Sequence, residues 1–141
     1  TVNAQVKSKM DDLFYGGCCD DQGTKASIKE MFETENYLID THTAVAVNVY
    51  QQYLQETGDR ETPAIIASTA SPYKFAASVL EALTGEKSGG SEFDKVAELS
   101  ALTGTQIPAA IAELQQKPLR FAEICNIPGM EMAVLGTLGI R

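Results

Sequence analysis

Pro63-Ala64-Ile65-Ile66-Ala67 is a short, unbroken apolar run, the pattern of a β-strand covered on both faces in a parallel sheet. Such a strand needs neighbours, because buried backbone N–H and C=O groups must be paired on both edges. The chain offers few. Leu13-Phe14-Tyr15, stopped by Gly16-Gly17, also reads as a short strand, whereas most of the remaining sequence is helical in pattern. Two strands cannot close a sheet, so the sequence predicts either more chain upstream in the natural protein or pairing between copies.

The helical pattern recurs along the chain. Between residues 24 and 38, Ile28, Met31 and Phe32 share one face while Lys25, Lys29, Glu30 and Glu33 fill the others, and Asp20-Asp21 supply helix-start chemistry. Residues 44–50 alternate like a strand. Yet Asp40, Thr41 and Thr43 offer an N-cap just before them, and the run continues to Gly58, which predicts a largely buried helix. Pro72 can open a helix that buries Phe75, Val79, Leu80 and Leu83 and stops at Gly85. After a flexible Gly/Ser-rich link at about 86–91, Phe93, Val96, Leu99 and Leu102 mark a helix closed by Gly104. Pro108 opens a short helical stretch with Ile111 and Leu114, Pro118 stops it, and Met130, Val134 and Leu138 are at helical spacing near the end. The class expected is α/β, mostly helical with few strands, in one unit spanning 1–141.

With 141 residues, 44% of them hydrophobic, the chain can bury a core without disulfide or metal staples. Its net charge of −8 comes from 19 acidic against 11 scattered basic residues, which excludes the clustered Lys and Arg of a nucleic-acid surface. No apolar run has the length that crosses a bilayer, and no basic region leads into an apolar stretch at the N-terminus, so no membrane partner and a cytoplasmic location are expected. Cys18, Cys19 and Cys125 have neither metal-ligand nor disulfide-framework spacing and read as reduced thiols. His42, the single histidine, excludes a multi-histidine zinc site, and no metal is expected.

The stretch that carries chemistry is the apolar run, then Ser68-Thr69-Ala70-Ser71, then Pro72 and a helix, because ligands on α/β sheets gather beyond the carboxyl ends of strands. Free N–H groups at a helix start favour an anion, and Lys74 in the first turn could add a full charge. The competing reading is plain: Ser and Thr often serve there only as caps.

The string from Thr62 to Phe75, Thr-Pro-Ala-Ile-Ile-Ala-Ser-Thr-Ala-Ser-Pro-Tyr-Lys-Phe, resembles the threonine synthase segment in which a strand runs into Ser/Thr-Ala-(His or Ser)-Pro-x-Lys-Phe. Upstream, Asn36-Tyr-Leu-Ile-Asp-Thr-His-Thr-Ala-Val-Ala is similar to that family's Tyr-x-x-Asp-Pro-His-Thr-Ala pattern, with Thr41 in place of the usual proline. Asp20-Asp21 before a helix and the tail Lys117-Pro-Leu-Arg-Phe-Ala-Glu-Ile-Cys also fit the family's course, so the likeness covers most of the chain.

The resemblance implies the C-terminal part of a fold-type II pyridoxal-phosphate enzyme, three-layer α/β/α and tryptophan synthase β-like. It implies conversion of O-phosphohomoserine and water to threonine and phosphate, by γ-elimination of phosphate and addition of water at the β-carbon. By motif position Thr69, with Ser68 second, is the hydroxyl expected at the cofactor's pyridine nitrogen. Lys74, His42 and Thr43 are expected near the substrate or an anion, against the alternatives of a solvated charge and satisfied helix-start groups. The family's Schiff-base lysine and phosphate loop lie earlier in its sequence, and neither Gly16-Gly17 nor Gly89-Gly90 lies between a buried strand and a helix as a phosphate cradle requires. The implied partners are the N-terminal part of the same enzyme and the substrate, with self-association of the fragment as a further expectation, no catalytic residue in this chain, and no turnover by it alone. Two alternatives stay open: an acidic, non-catalytic interaction or regulatory module, and a related phospho-lyase acting on another phosphorylated amino acid.

Overall fold

The computed structural model describes residues 2–120 and 123–140, so Phe121 and Ala122 of the tail motif lie outside the described residues. Among those described are seven α-helices: α1 (Ala4–Asp11), α2 (Asp21–Glu35), α3 (Thr41–Thr57), α4 (Ala76–Thr84), α5 (Glu92–Thr103), α6 (Ala109–Ala112) and α7 (Met130–Leu138). Short 3-10 turns at Pro72–Phe75, Glu113–Gln116 and Ile127–Gly129 lead into or out of them.

No strand forms among the described residues, which corrects the expectation at 13–15 and 63–67 and makes this chain helical where α/β was expected. The reason is non-local: a backbone becomes a strand only when a second one pairs with it. Residues 63–69 have no regular structure, and Ile65 is 98% exposed. No backbone–backbone hydrogen bond joins these residues to another described residue.

Local chemistry sets the helix ends. Asp20 caps α2 by accepting from the Gly23 N–H at 2.7 Å, and Asn36 ends it in the left-handed region at φ 51°. A capping box of Ser91 and Asp94 starts α5. The helix opened by Pro72 begins as a 3-10 turn, and α4 proper follows from Ala76. Segment 16–19 lies against α3: a Cβ on Gly17 would stand 2.9 Å from Val49 Cγ1, and Gln52 Nε2 donates to the Cys18 carbonyl at 2.9 Å. Only glycine allows that approach without a shift.

The core is built by α2 packing on α3 and α4, and by α4 packing on α5. Ile28, Val79, Leu80 and Leu99 are fully buried at its centre, joined by Ala44 and Val47 from α3. The helix expected at 44–58 is present, but only Thr43, Ala44 and Val47 of it are buried, because one of its faces alone meets α2. Nothing in the helical reading anticipated α1, although Val2, Val6 and Met10 recur every fourth residue and Asn3 caps it through the Val6 N–H at 2.8 Å. The α7 helix stands where Met130, Val134 and Leu138 place it, yet all three are exposed.

Truncating the centre of this core should be costly and truncating the irregular segment should not. Leu80→Ala and Leu99→Ala are each expected to lose about 2–5 kcal/mol in urea unfolding. Ile65→Ala should stay within about 0.5 kcal/mol of the parent chain. A loss at Ile65 as large as at the leucines would show that this side chain packs within the chain, as its neighbour Ile66 does.

Candidate functional site

The site is built on the first turn of α3. Asp40, fully buried, is its N-cap: Oδ1 accepts from the His42 N–H at 2.8 Å and from the Thr43 N–H at 3.4 Å. The same oxygen lies 3.1 Å from His42 Nδ1, and Oδ2 takes a short hydrogen bond from the Thr43 hydroxyl. Burial by itself pushes the Asp40 carboxyl up; the bonds from the Thr43 hydroxyl, the His42 N–H, the His42 ring and the Thr43 N–H outweigh it and hold the group below its ordinary value.

The second element is the connection at 59–71. Asp59 anchors its start, accepting from Tyr53 Oη at 2.9 Å and from the Glu61 and Thr62 N–H groups at 3.2 and 3.1 Å. Hydrogen bonds from Thr62, with those from Tyr53 and Glu61, lower the Asp59 carboxyl to about 2. At the far end Ser68 comes within 3.2 Å of the Thr43 hydroxyl. Ser71 then caps the 3-10 turn, so the N–H groups of Tyr73 and Lys74 donate to its hydroxyl and carbonyl. Tyr73, buried, fixes that turn by pairing its hydroxyl with the Thr105 carbonyl at 2.8 Å.

The structure thus brings His42, Thr43 and Ser68 together around Asp40. The His42 ring lies against Phe75 with centroids 5.0 Å apart, and Lys74 Nζ is 5.7 Å from the centre of that same ring, so both side chains border Phe75. Thr69 is exposed beside this group, and its side chain has no hydrogen-bond partner among the described residues. Reading of residue types passed over Asp40 as anything but a cap; the signal was there in Asp40-Thr-His-Thr43, a carboxylate two and three residues ahead of two polar groups.

Thr69 leaves an open hydroxyl, which suits one neutral hydrogen bond to the ring nitrogen of a pyridine cofactor, while the Ser68 hydroxyl is already engaged with Thr43. Among the described residues no group of His, Cys, Asp and Glu could hold a metal ion, Cys18, Cys19 and Cys125 are free thiols, and no helix is long and apolar enough to cross a membrane.

Comparison with known proteins names the family of this helical chain. The family model "Threonine synthase, C-terminal" matches residues 43–133, and the chain belongs to that family. The threonine synthase of Schizosaccharomyces pombe is 41% identical over 84 residues, 60% of this chain and 16% of that protein. That of Saccharomyces cerevisiae is 34% identical over 79 residues, 53% of this chain and 15% of that protein. Threonine synthase-like 1 of Mus musculus is 28% identical over 119 residues, 83% of this chain and 15% of that protein. The chain therefore spans about a sixth of the length of these relatives.

Asp40 should show itself in pH-dependent stability. Its carboxyl is held below the ordinary range, so its contribution is full above the unfolded value, about 3.9, and fades as pH falls through the lowered folded value. Asp40→Ala should cost about 1–2 kcal/mol in urea unfolding at neutral pH, as the loss of a cap does. The gap to the parent chain should narrow in acid; a constant gap down to pH 2, on the order of the neutral one, would contradict the ionised cap.

Proposed function

We propose that the chain is the C-terminal part of a cytoplasmic threonine synthase that, as the whole protein, converts O-phosphohomoserine and water to threonine and phosphate with pyridoxal phosphate. The observation that carries this reading is the exposed Ser68-Thr69 pair, inside the family-matched region and tied to α3 through Thr43. On this reading residues 63–69 become a strand of a three-layer α/β/α fold whose remaining strands, with the cofactor lysine, come from the N-terminal part of the enzyme. The exposed Ile65 and the unpaired backbone around it support that partner.

The cofactor, when bound, supplies an electron sink for the reacting carbons. This chain's residues do the rest of what is assigned to it. Thr69 donates or accepts one hydrogen bond at the ring nitrogen, with Ser68 beside it, and Lys74 lends positive charge near Phe75. A neutral hydroxyl leaves that nitrogen less firmly protonated than a carboxylate does.

The test is the full-length protein, with its upstream sequence, given O-phosphohomoserine and pyridoxal phosphate. Threonine and phosphate should appear in equal amounts, and Thr69→Val should lower kcat roughly tenfold to a hundredfold, the scale of one hydrogen bond at a reacting system, while Thr69→Ser keeps most of it. The isolated 141-residue chain mixed with stoichiometric cofactor should show no Schiff-base absorbance band. Phosphate released from a different phosphorylated amino acid, with no threonine from O-phosphohomoserine, would instead favour the related phospho-lyase.

A further inference from the structure

The hydrogen bonds around Asp40 decide what His42 and Thr43 can offer to a ligand. An ionised carboxylate only accepts, so wherever an N or O atom lies within bonding distance of Asp40 that atom must carry the proton. His42 Nδ1 lies 3.1 Å from Asp40 Oδ1. Were the neutral ring protonated at Nε2 instead, a nitrogen lone pair would face a buried carboxylate oxygen at that distance, and the Thr41 hydroxyl, 3.5 Å from Nδ1, is too far to offset it fully. The neutral ring is therefore held as the Nδ1–H form, and Nε2 becomes a bare acceptor. No described residue occupies Nε2, and the imidazole side chain is 63% exposed.

The same logic runs through Thr43. Its hydroxyl has one proton, and the short bond to Asp40 takes it. The 3.2 Å contact with Ser68 is aligned with Thr43 as the donor, so it is the weaker arm of a shared proton. Of the two side chains that bond Asp40, His42 is thus the one left with a free acceptor.

We propose that Asp40 is a positioning residue of this site, fixing His42 as the Nδ1–H tautomer so that Nε2 meets an N–H or O–H donor such as a substrate ammonium or water, and leaves phosphate to other groups. The inference rests on the threonine synthase reading only for the identity of the donor; the tautomer is a property of this chain. His42 is the single histidine, so its two ring nitrogens give an unambiguous long-range proton–nitrogen NMR correlation in the uniformly labelled chain. At a pH where the ring is neutral, the Nδ1–H form should dominate by about tenfold or more, the scale of a hydrogen bond to a charged acceptor. In Asp40→Ser, which keeps a capping hydroxyl but is too short to reach the ring, the pyridine-like and pyrrole-like nitrogen shifts should move toward exchange. Titration with inorganic phosphate should leave the ring signals in place.

A parent chain in which the Nε2–H form predominates overturns the proposal, and this reading stands even if Asp40→Ser does not fold. An unchanged tautomer ratio in folded Asp40→Ser overturns it as well, and a saturable phosphate-induced shift of the ring nitrogens overturns the ligand assignment. None of these outcomes bears on whether the full-length protein makes threonine, so the two readings fail separately.

Discussion

A carboxylate with no exposure must have its oxygens matched by donors, and around Asp40 that demand organises everything nearby. Four groups answer it: two backbone N–H groups, a ring nitrogen and a hydroxyl, all from the two residues His42 and Thr43. The backbone pair starts α3, and α3 carries Ala44 and Val47 into the core against α2. Of the side-chain pair, the Thr43 hydroxyl meets Ser68 and the His42 ring lies against Phe75. One buried charge therefore couples helix initiation, which stabilises the fold, to the orientation of polar groups on the surface.

The helices were legible where caps and apolar spacing agree. Asp20 and Asp40 and the glycines at 58, 85 and 104 mark ends that depend on a few adjacent residues, and those ends stand where the sequence places them. What failed was burial and pairing, which depend on distant partners. Residues 63–67 have the composition of a covered strand, but no second backbone reaches them in this chain. The spacing of Met130, Val134 and Leu138 predicts α7 correctly and says nothing about what covers it, and all three are exposed. Periodicity reports the shape of a segment; coverage belongs to its surroundings.

The site divides the same way. Motif order was enough to bring out His42, Thr43, Ser68, Thr69 and Lys74 as a set, because the likeness to threonine synthases covers both segments that bear them. It could not show that Thr43 and Ser68 are in contact across 25 positions, nor that His42 and Lys74 share the Phe75 ring. Asp40 was visible as a helix cap, and a cap is what it is. Its second role depends on distances to side-chain atoms, and those follow from its burial, which no local pattern encodes.

These two failures have one physical origin. The irregular run 63–69 leaves apolar Ile65 in water and its own backbone unpaired, a state that isolated α/β sequences avoid. The hydroxyls proposed to meet a cofactor stand at the end of that same run. Their attachment to the folded part is the contact from Thr43 to Ser68 at one end and the Asp59 anchor at the other. A segment held by Asp59, by Ile66 packed on the core and by Ser68, with its backbone unpaired, can accept a neighbouring backbone without disturbing the helical core. On the proposed reading, pairing with the rest of the enzyme would order Thr69 while leaving Asp40, His42 and Thr43 where α3 already holds them.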